Sequence, residues 1–519
     1  MIKKKNIVIV GAGASGAAAV WNLSKISNYQ VICLEQGVEE NPKEYDYLLD
    51  EWERNKLFKY NKNPNLRKSL SDYPIDNKKS QISISNYNGV GGSTLIYNAH
   101  LPRFKESDFR TKTLDGVGMD WPLNYSELKK YFELNERRMC LAGKRNDPAY
   151  PVIKNLFPAV KLGKSGELIL KTFKSLKWHC WPSYSGIATK KIKNRKKLSK
   201  SNAINSYLND ALKNGIKLMA NCRVIEIKTN NKGKVAGLYY AEKGSKIKFL
   251  EASIIILACS GVGTPRLLLN SKSKRYINGL ANISGQVGKN LMLHPLGYTE
   301  GKFNNFLASH IGPEGCCLYS HQFYNTNNSN KFKRGYTIQV LRGQSAIDTA
   351  LVEKKFNNLK FGDKFHNVFF NNYGHTIPMA IICEDFPDKR NYLEIDLKKK
   401  DSDGMPGIKV NYTISENTKR MLAHGINMCK VVLKKAGATR IRSFGPVRDT
   451  GWHIMGTARM GSDKKNSVVN PFGQSHDIEN LFIVDSSIFV TSAAVNPLNT
   501  MTALSLKITD FIKKNINKF

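Results

Sequence analysis

Short apolar runs separated by glycine-rich turns open the chain. Residues 6–10 and 30–34 are two such runs, and a segment of small residues at about 17–24 lies between them. Apolar runs of this length are typical of strands buried in a parallel sheet. The pattern therefore predicts a strand, a helix and a second strand that ends on Glu35.

The same pattern returns later in the chain. Residues 253–257 form an apolar run that leads through a glycine-rich turn into a leucine-rich helix, and residues 218–227 predict a strand before it. We therefore assign residues 200–270 to the same sheet. Residues 480–485 predict one more short buried strand, which ends on Asp485.

Apolar and polar positions alternate between residues 301 and 415, which is typical of antiparallel sheet. Four runs predict its strands: 335–341, 379–384, 392–396 and 407–412. A helix over 415–436 is predicted to end at Gly437. The pattern as a whole predicts an α/β protein with one parallel-sheet domain and one antiparallel-sheet domain.

Length and charge narrow the class of protein. The 519 residues are 41% apolar and 24% charged, which suggests about three structural units and excludes a disordered, collagen-like or coiled-coil chain. The net charge of +38 is unusual, but only 19 of the 80 basic residues are arginines. Because phosphate recognition favours arginine, we interpret the charge as a lysine-rich composition, with an anionic partner as the alternative.

Cysteine spacing and hydropathy indicate a compartment. The nine cysteines show neither a CxxC pair nor a Cys/His metal-ligand spacing. No apolar run reaches the ~18 residues of a spanning helix, and the start of the chain lacks the pattern of a secretory signal. These features predict a reduced, metal-free, cytoplasmic protein.

The turn after the first strand has the spacing of a dinucleotide-binding fingerprint. Gly11 allows a tight turn, Gly13 lets the backbone approach a pyrophosphate, and Gly16 lets helix and strand pack closely. Glu35 is placed to accept hydrogen bonds from a ribose 2′-hydroxyl, which disfavours a 2′-phosphate there. The alternative is a tight turn that binds no nucleotide.

The last hundred residues carry further motifs. Residues 452–461 read WHIMGTARMG, and residues 495–500 read VNPLNT. Asn496 as N-cap and Pro497 as the first helical residue predict a helix that runs to about residue 512. The positive N-terminal end of this helix suits a negatively charged ligand.

Six ordered motifs resemble those of the glucose-methanol-choline (GMC) family of FAD-dependent oxidoreductases, in the branch of gluconate and fructose dehydrogenase flavoproteins. Besides the fingerprint and the two C-terminal blocks they are GVGGST at 89–94, GVGMDWP at 116–122 and GTPRLLL at 263–269. The resemblance covers nearly the whole chain and implies a Rossmann-like FAD-binding domain beside an antiparallel substrate domain. It implies these FAD-binding residues: Gly11, Gly13, Ala14, Ser15, Gly16, Glu35, Gln36, Gly91, Gly92, Ser93, Thr94, Asn98, Val224, Asp485, Asn496 and Pro497.

The implied domains are discontinuous. The FAD-binding domain comprises residues 1–40, 81–145, 200–300 and 445–519. The substrate domain comprises 146–199 and 301–444, and residues 41–80 form a surface excursion or lid.

The resemblance also implies that His453 is the catalytic histidine and Asn496 its partner. Oxidation of an alcohol moves a hydride to the flavin while the hydroxyl proton leaves, and a neutral imidazole is a natural acceptor for that proton. Asn496 can hold the substrate oxygen without titrating. The alternatives are a structural core histidine and a simple helix cap.

Departures from the family pattern change two expectations. Members that bind FAD covalently carry a histidine where this chain has Ile96, so FAD is expected to be non-covalent. Many gluconate-branch relatives carry a cysteine cluster where this chain has the lysine-rich residues 190–197. Whatever that cluster does is absent here.

Other polar residues have weaker assignments. His100 and His294 are expected to serve packing or the surface. Glu384 either faces the substrate or forms a structural ion pair, and Arg459 either contacts a phosphate or forms a local ion pair.

The sequence thus predicts FAD-dependent oxidation of a sugar, polyol or sugar acid. Electrons are expected to pass to a quinone, cytochrome or other carrier rather than to oxygen. Two alternatives stay open, a redox-neutral lyase or isomerase with structural FAD and a basic binder of anionic surfaces or nucleic acid. A disulfide-reducing flavoprotein is disfavoured because Cys33 stands alone.

Overall fold

A five-stranded parallel sheet forms the first core of the molecule. The computed structural model describes residues 4–39, 60–64, 74–192, 195–242, 246–356 and 362–519. The strands lie in the order Leu481–Ile483, Ile254–Leu257, Lys5–Val10, Tyr29–Leu34 and Lys217–Met219. Every neighbouring pair is parallel, which confirms the strands predicted at 6–10, 30–34, 253–257 and 480–485.

The first helix packs against this sheet. The first helix, Ala14–Leu23, contacts the last helix, Leu498–Lys514, and the Ser505 hydroxyl donates to the Ser15 carbonyl at 2.7 Å. The other α-helices are Thr111–Asp115, Tyr125–Arg138, Gly163–Ser175, Asn209–Lys213, Ser260–Asn270, Ala346–Lys355, Asp363–Phe370 and Glu416–Lys435. Short 3-10 helices are Gly92–Leu95, Glu106–Phe109, Ser486–Ile488 and Ile516–Lys518, and Ile204–Leu208 is a π-helix.

A six-stranded antiparallel sheet forms the second core. Its strands lie in the order Arg440–Phe444, Leu296–Lys302, Thr376–Cys383, Tyr336–Arg342, Gly315–Ser320 and Trp181–Pro182. Helices Gly163–Ser175 and Glu416–Lys435 contact the strands of this sheet, with residues such as Ile338 and Ile381 buried in the same core. The antiparallel sheet predicted from residues 335–341 and 379–384 is therefore confirmed.

The other two predicted runs lie elsewhere. Tyr392–Lys400 and Pro406–Asn411 pair with each other, and Pro406–Asn411 also pairs with Ile75–Asp76, so they form a separate three-stranded sheet. The two runs are antiparallel to each other, as predicted, but they do not belong to the six-stranded sheet. A further small sheet contains Phe157–Pro158, Leu141–Gly143, Ser185–Ala188 and Ser199–Lys200.

The strand predicted at 218–227 is broken in two. Lys217–Met219 belongs to the parallel sheet, whereas Cys222–Thr229 pairs with Val235–Glu242 in an antiparallel sheet that also contains Lys248–Glu251. Asn221 lies between them with φ of 53°, a left-handed conformation that asparagine tolerates better than most residues. Residues 200–270 are therefore not a single part of one sheet.

The predicted excursion at 41–80 and the lysine-rich residues 190–197 lie partly outside the described residues. Of the excursion at 41–80, residues 41–59 and 65–73 are not described, while Tyr60 and Ile75 are buried. In the lysine-rich stretch, residues 193–194 are not described, and Arg195 donates to the Ser201 hydroxyl at 2.7 Å and to the Asn205 carbonyl at 2.6 Å. Within the described ranges, no helix is long and apolar enough to cross a membrane.

Candidate active site

A cavity of about 700 Å³ lies between the parallel sheet and one face of the six-stranded sheet. The carboxyl ends of parallel strands share one edge of a sheet, where ligands of such folds bind. Glu35 and Asp485, close to two of those ends, line the cavity, and His453 and Asn496 line it as well. One space thus joins both groups of predicted site residues.

Most of the predicted site residues line this cavity. They are Gly11, Gly13, Ala14, Ser15, Glu35, Gln36, Gly92, Ser93, Thr94, Asn98, Val224, His453, Asp485, Asn496 and Pro497. Gly16 and Gly91 are not among the lining residues. Gly16 packs against the Gly11 carbonyl, and the Gly91 amide donates to the Ala12 carbonyl, so both lie next to residues of the glycine turn.

The three fingerprint glycines differ in the space around them. Gly11 has φ of 104°, and a Cβ there would lie 2.5 Å from the Ala258 carbonyl oxygen. A Cβ on Gly16 would lie 1.9 Å from the Gly11 carbonyl oxygen. A Cβ on Gly13 would meet no atom within 4 Å, so Gly13 leaves open space at the N-terminus of the first helix.

The second glycine loop closes on the first. The Gly91 amide donates to the Ala12 carbonyl at 3.0 Å, and a Cβ on Gly92 would lie 2.9 Å from the Gly13 Cα atom. The Thr94 hydroxyl donates to the Gly91 carbonyl at 2.6 Å and accepts from the Ala203 amide at 2.9 Å. This hydroxyl therefore holds the loop in place.

The Glu35 carboxylate is fixed by backbone amides. Its Oε2 accepts from the Ala12 amide and its Oε1 from the Gly37 amide, each at 2.9 Å. Burial raises the pKa of Glu35, although these hydrogen bonds oppose the shift. Each oxygen keeps a second lone pair, so the carboxylate can still accept a hydrogen bond from a ligand.

Asp485 is held in a similar way. Its Oδ2 accepts from the Thr264 hydroxyl at 2.5 Å and its Oδ1 from the Ser487 amide at 2.9 Å. Burial raises the pKa of this carboxyl as well. The side chain thereby links the helix Ser260–Asn270 to the strand end beside it.

A hydrogen-bond chain fixes the tautomer of His453. His294 Nε2 lies 2.9 Å from the Ala493 carbonyl oxygen, which only accepts, so this nitrogen carries a proton. Burial lowers the pKa of His294 to about 4, so its Nδ1 is an acceptor at neutral pH. His453 Nδ1 lies 2.9 Å from that atom and must be the donor. His453 Nε2 is therefore an unprotonated acceptor.

Asn496 completes the chain on the opposite side of the imidazole. Its Nδ2 lies 3.3 Å from His453 Nε2, and its Oδ1 accepts from Gln339 Nε2 at 2.8 Å. Burial, together with His294 and His100, lowers the pKa of His453 well below its usual value. The ring is therefore neutral at pH 7 and can accept a proton at Nε2.

The last helix starts one residue later than predicted. Pro497 is its N-cap residue rather than its first helical residue, and no side chain caps it. The Asn496 side chain instead contacts His453 and Gln339. Pro497, Leu498 and Met501 line the cavity, so the positive end of the helix faces it.

Glu384 and Arg459, two residues with alternative assignments, lie outside the cavity wall. Glu384 is fully buried, bonds Arg334 at 2.9 Å and does not line the cavity, so it is a structural ion-pair residue. Arg459 does not line the cavity either and donates to the Asn466 carbonyl at 2.7 Å. Among the described residues Arg459 forms no ion pair, and its other short contact is the Met119 sulfur at 2.7 Å. The phosphate contact stays a prediction.

The sequence did not predict two residues of the hydrogen-bond chain, His294 and Gln339. His294 was expected to serve packing or the surface, yet it orients His453. Gln339 had no assignment, although a glutamine in the otherwise apolar strand centre Thr-Ile-Gln-Val-Leu is a signal for a polar role. His100 lines the cavity, but its Nε2 accepts from the Cys316 amide at 2.7 Å.

Comparison with known proteins adds a family. Residues 6–296 and 387–505 match the N-terminal and C-terminal domains of the family described as GMC oxidoreductase. The chain is 34% identical to a 2-methyl-1,2-propanediol dehydrogenase of Mycolicibacterium austroafricanum, over 99% of this chain and 96% of that protein. It is 25% identical to the fructose dehydrogenase large subunit of Gluconobacter japonicus, over 83% and 81% of the two chains.

Solved structures share the fold. The pyridoxine 4-oxidase from Mesorbium loti superimposes with a TM-score of 0.67 at 15% identity, covering 98% of this chain and 99% of that chain. Aspergillus oryzae RIB40 formate oxidase gives 0.67 at 14% identity, covering 100% and 99%. At such low identity the likeness describes architecture alone.

Proposed function

The chain belongs to the GMC oxidoreductase family of FAD flavoproteins, and we propose that it oxidises an alcohol CH–OH group by hydride transfer to non-covalently bound FAD. Relatives named for propanediol, fructose and paromamine support an alcohol donor. The observation that carries the proposal is the unprotonated Nε2 of His453 on the wall of the cavity.

The residues of the cavity fit the cofactor. The open space at Gly13 admits a pyrophosphate against the N-terminus of the first helix, and Glu35 keeps acceptor capacity for a ribose hydroxyl. We assign the remaining predicted cofactor residues the same role, with Asp485 beside the phosphate and ribityl chain. Ile96 lines the cavity and has no nucleophilic atom, which supports non-covalent binding.

His453 is proposed to take the hydroxyl proton of the substrate at Nε2. Its neutral state at pH 7 and the donor bond from Nδ1 to His294 leave a lone pair on Nε2, and the substrate hydroxyl would replace the long 3.3 Å contact that Asn496 Nδ2 makes there. Proton transfer to a positioned base typically contributes ~10²- to 10⁴-fold. Bound FAD supplies the acceptor for the hydride.

Asn496 is proposed to hold the substrate oxygen. Its Nδ2 lies 3.3 Å from His453 Nε2, so a substrate oxygen within hydrogen-bond reach of both atoms can accept from Asn496 while donating to the histidine. Gln339 fixes the amide orientation, because its Nε2 donates to Asn496 Oδ1.

We propose a dehydrogenase rather than an oxidase, with a quinone, cytochrome or other carrier as electron acceptor. Two of the relatives above are named dehydrogenases. Oxygen consumption during turnover, compared with reduction of an artificial quinone, distinguishes the two activities.

The direct test is anaerobic. Purified holoprotein is mixed with alcohols, diols, hexoses, polyols and sugar acids, and bleaching of the oxidised flavin absorbance is followed. At least one alcohol is expected to bleach it. Failure of every donor would favour a redox-neutral enzyme with structural FAD.

A further inference from the structure

One wall of the cavity is the inward face of the six-stranded sheet. Successive side chains of a strand point to opposite faces. Strand register places Tyr298 beside Ala380 and Ala380 beside Gln339, and all three line the cavity. Their neighbours along the strands, such as Ile381 and Ile338, lie in the opposite core. The residues that line the cavity are therefore a different set from those that pack in that core.

This wall is mostly apolar. Leu296, Ala380 and Ile382 form one hydrophobic cluster, with Leu341 packed against it. The Tyr298 hydroxyl donates to Glu300 Oε2 at 3.0 Å, so its proton is already used, although its oxygen can still accept. A substrate hydroxyl pressed against the aliphatic part of this wall would lose its hydrogen bonds to water without replacing them.

Gln339 is the polar side chain of this wall that contacts Asn496. It is 3% exposed and lines the cavity. One hydrogen of its Nε2 goes to Asn496, while its Oε1 has no hydrogen-bond partner within the described part of the chain. Because Asn496 lies next to His453, this free acceptor stands one side chain away from the proposed base.

This wall offers no cation, among the described residues, that could bind an anionic substrate. Among the described residues, Lys62, Arg223 and Arg266 are the cations that line the cavity. Arg223 and Arg266 bond Asp401 at 3.2 and 2.7 Å, and the Lys62 ammonium lies 4.8 Å from the centre of the Trp452 ring. None of the three belongs to the six-stranded sheet.

We propose that the cavity selects neutral vicinal diols with an apolar substituent, and that Gln339 determines this specificity. The inference rests on the proposed function and replaces the expected sugar or sugar acid. The reacting carbinol gives its O–H proton to His453 and its C–H hydrogen to bound FAD as hydride, which leaves an α-hydroxy carbonyl. The neighbouring hydroxyl donates to Gln339 Oε1 and is unchanged.

The test compares two donors that differ by one hydroxyl, 2-methyl-1,2-propanediol and 2-methyl-1-propanol. The wild-type holoenzyme is expected to favour the diol by roughly 10- to 100-fold in kcat/KM, because the monoalcohol leaves Oε1 unpaired. Gln339→Leu should reduce this ratio to near one, whatever it does to the absolute rate through Asn496. Tyr298→Phe, on the same wall, should leave the ratio unchanged.

Binding gives a second readout that needs no turnover. Pinacol has no C–H bond on its carbinol carbons and cannot donate hydride. It is expected to compete with substrate about tenfold better than 2,3-dimethyl-2-butanol, which lacks one of its hydroxyls, in the wild type but not in Gln339→Leu. If the ratio persists in Gln339→Leu, or if fructose or gluconate is the better donor, the inference is overturned while the proposed function stands. If no alcohol bleaches the flavin, the proposed function fails and the inference falls with it.

Discussion

The two sides of the cavity differ in whether backbone groups or side chains line them. The wall along the parallel sheet consists of backbone, with glycines at Gly11, Gly13 and Gly92 and carboxylates held by amide groups. The opposite part carries a hydrogen-bonded row of side chains, His453, Asn496 and Gln339, which His294 holds in place without lining the cavity itself. A backbone wall tolerates little added volume, whereas a side-chain row is sensitive to the loss of single polar atoms. The predictions below test that difference.

Adding one buried methyl group to the glycine turn is expected to abolish flavin binding. Gly16→Ala places a Cβ against the Gly11 carbonyl, and such overpacking typically costs about 1–3 kcal/mol, so the variant should purify without flavin and unfold at lower denaturant. Gly13→Ala is the matched control, because its Cβ meets nothing. It should keep the stability of the apoprotein but lose flavin. A yellow Gly13→Ala protein would mean that Gly13 does not face the cofactor.

The side-chain row should lose rate and keep its cofactor. His453→Gln is expected to retain FAD and to slow anaerobic flavin reduction about 10²- to 10⁴-fold, because the proton acceptor is gone. His100→Gln, also in the cavity wall, should change the rate far less, since its Nε2 is already bonded to Cys316. Equal effects of the two substitutions would contradict the assignment of His453.

His294→Phe should have a smaller effect and a distinctive pH profile. A base works only when neutral, so wild-type kcat/KM should rise with pH through the lowered pKa of His453, below its ordinary 6.5. Without His294 the tautomer is no longer fixed and one cause of the lowered pKa is removed. We expect a roughly 10-fold slower reaction and an acid limb displaced to higher pH. An unmoved limb would mean that His294 only fills space.

Glu384→Gln should affect neither wall. Glu384 pairs with Arg334, which also bonds Asp108, and burial raises the pKa of Glu384 to about 7 despite Arg334. The substitution should lower the free energy of unfolding by about 1–3 kcal/mol. The preference between diol and monoalcohol should stay the same, and a changed preference would restore Glu384 as a substrate contact.

The same difference explains what the sequence could predict. The glycine fingerprint, Glu35 and Asp485 are local patterns beside apolar strands, and all of these residues except Gly16 line the cavity. The side-chain row joins residues that are 159 and 157 positions apart, at His294–His453 and Gln339–Asn496. No local pattern encodes such pairs, so the family motif revealed only His453 and Asn496. The break at Asn221 was missed because the apolar pattern continues across it.

The six-stranded sheet separates two kinds of change. Odd and even positions along a strand such as Tyr336–Arg342 serve different environments, with Ile338 and Val340 in the helix-covered core and Gln339 and Leu341 in the cavity wall. New substrate preferences can therefore evolve by substituting every second residue while the folding core stays intact. A single inserted residue would exchange the two sets, so diversification in this sheet should proceed by substitution and leave strand length unchanged.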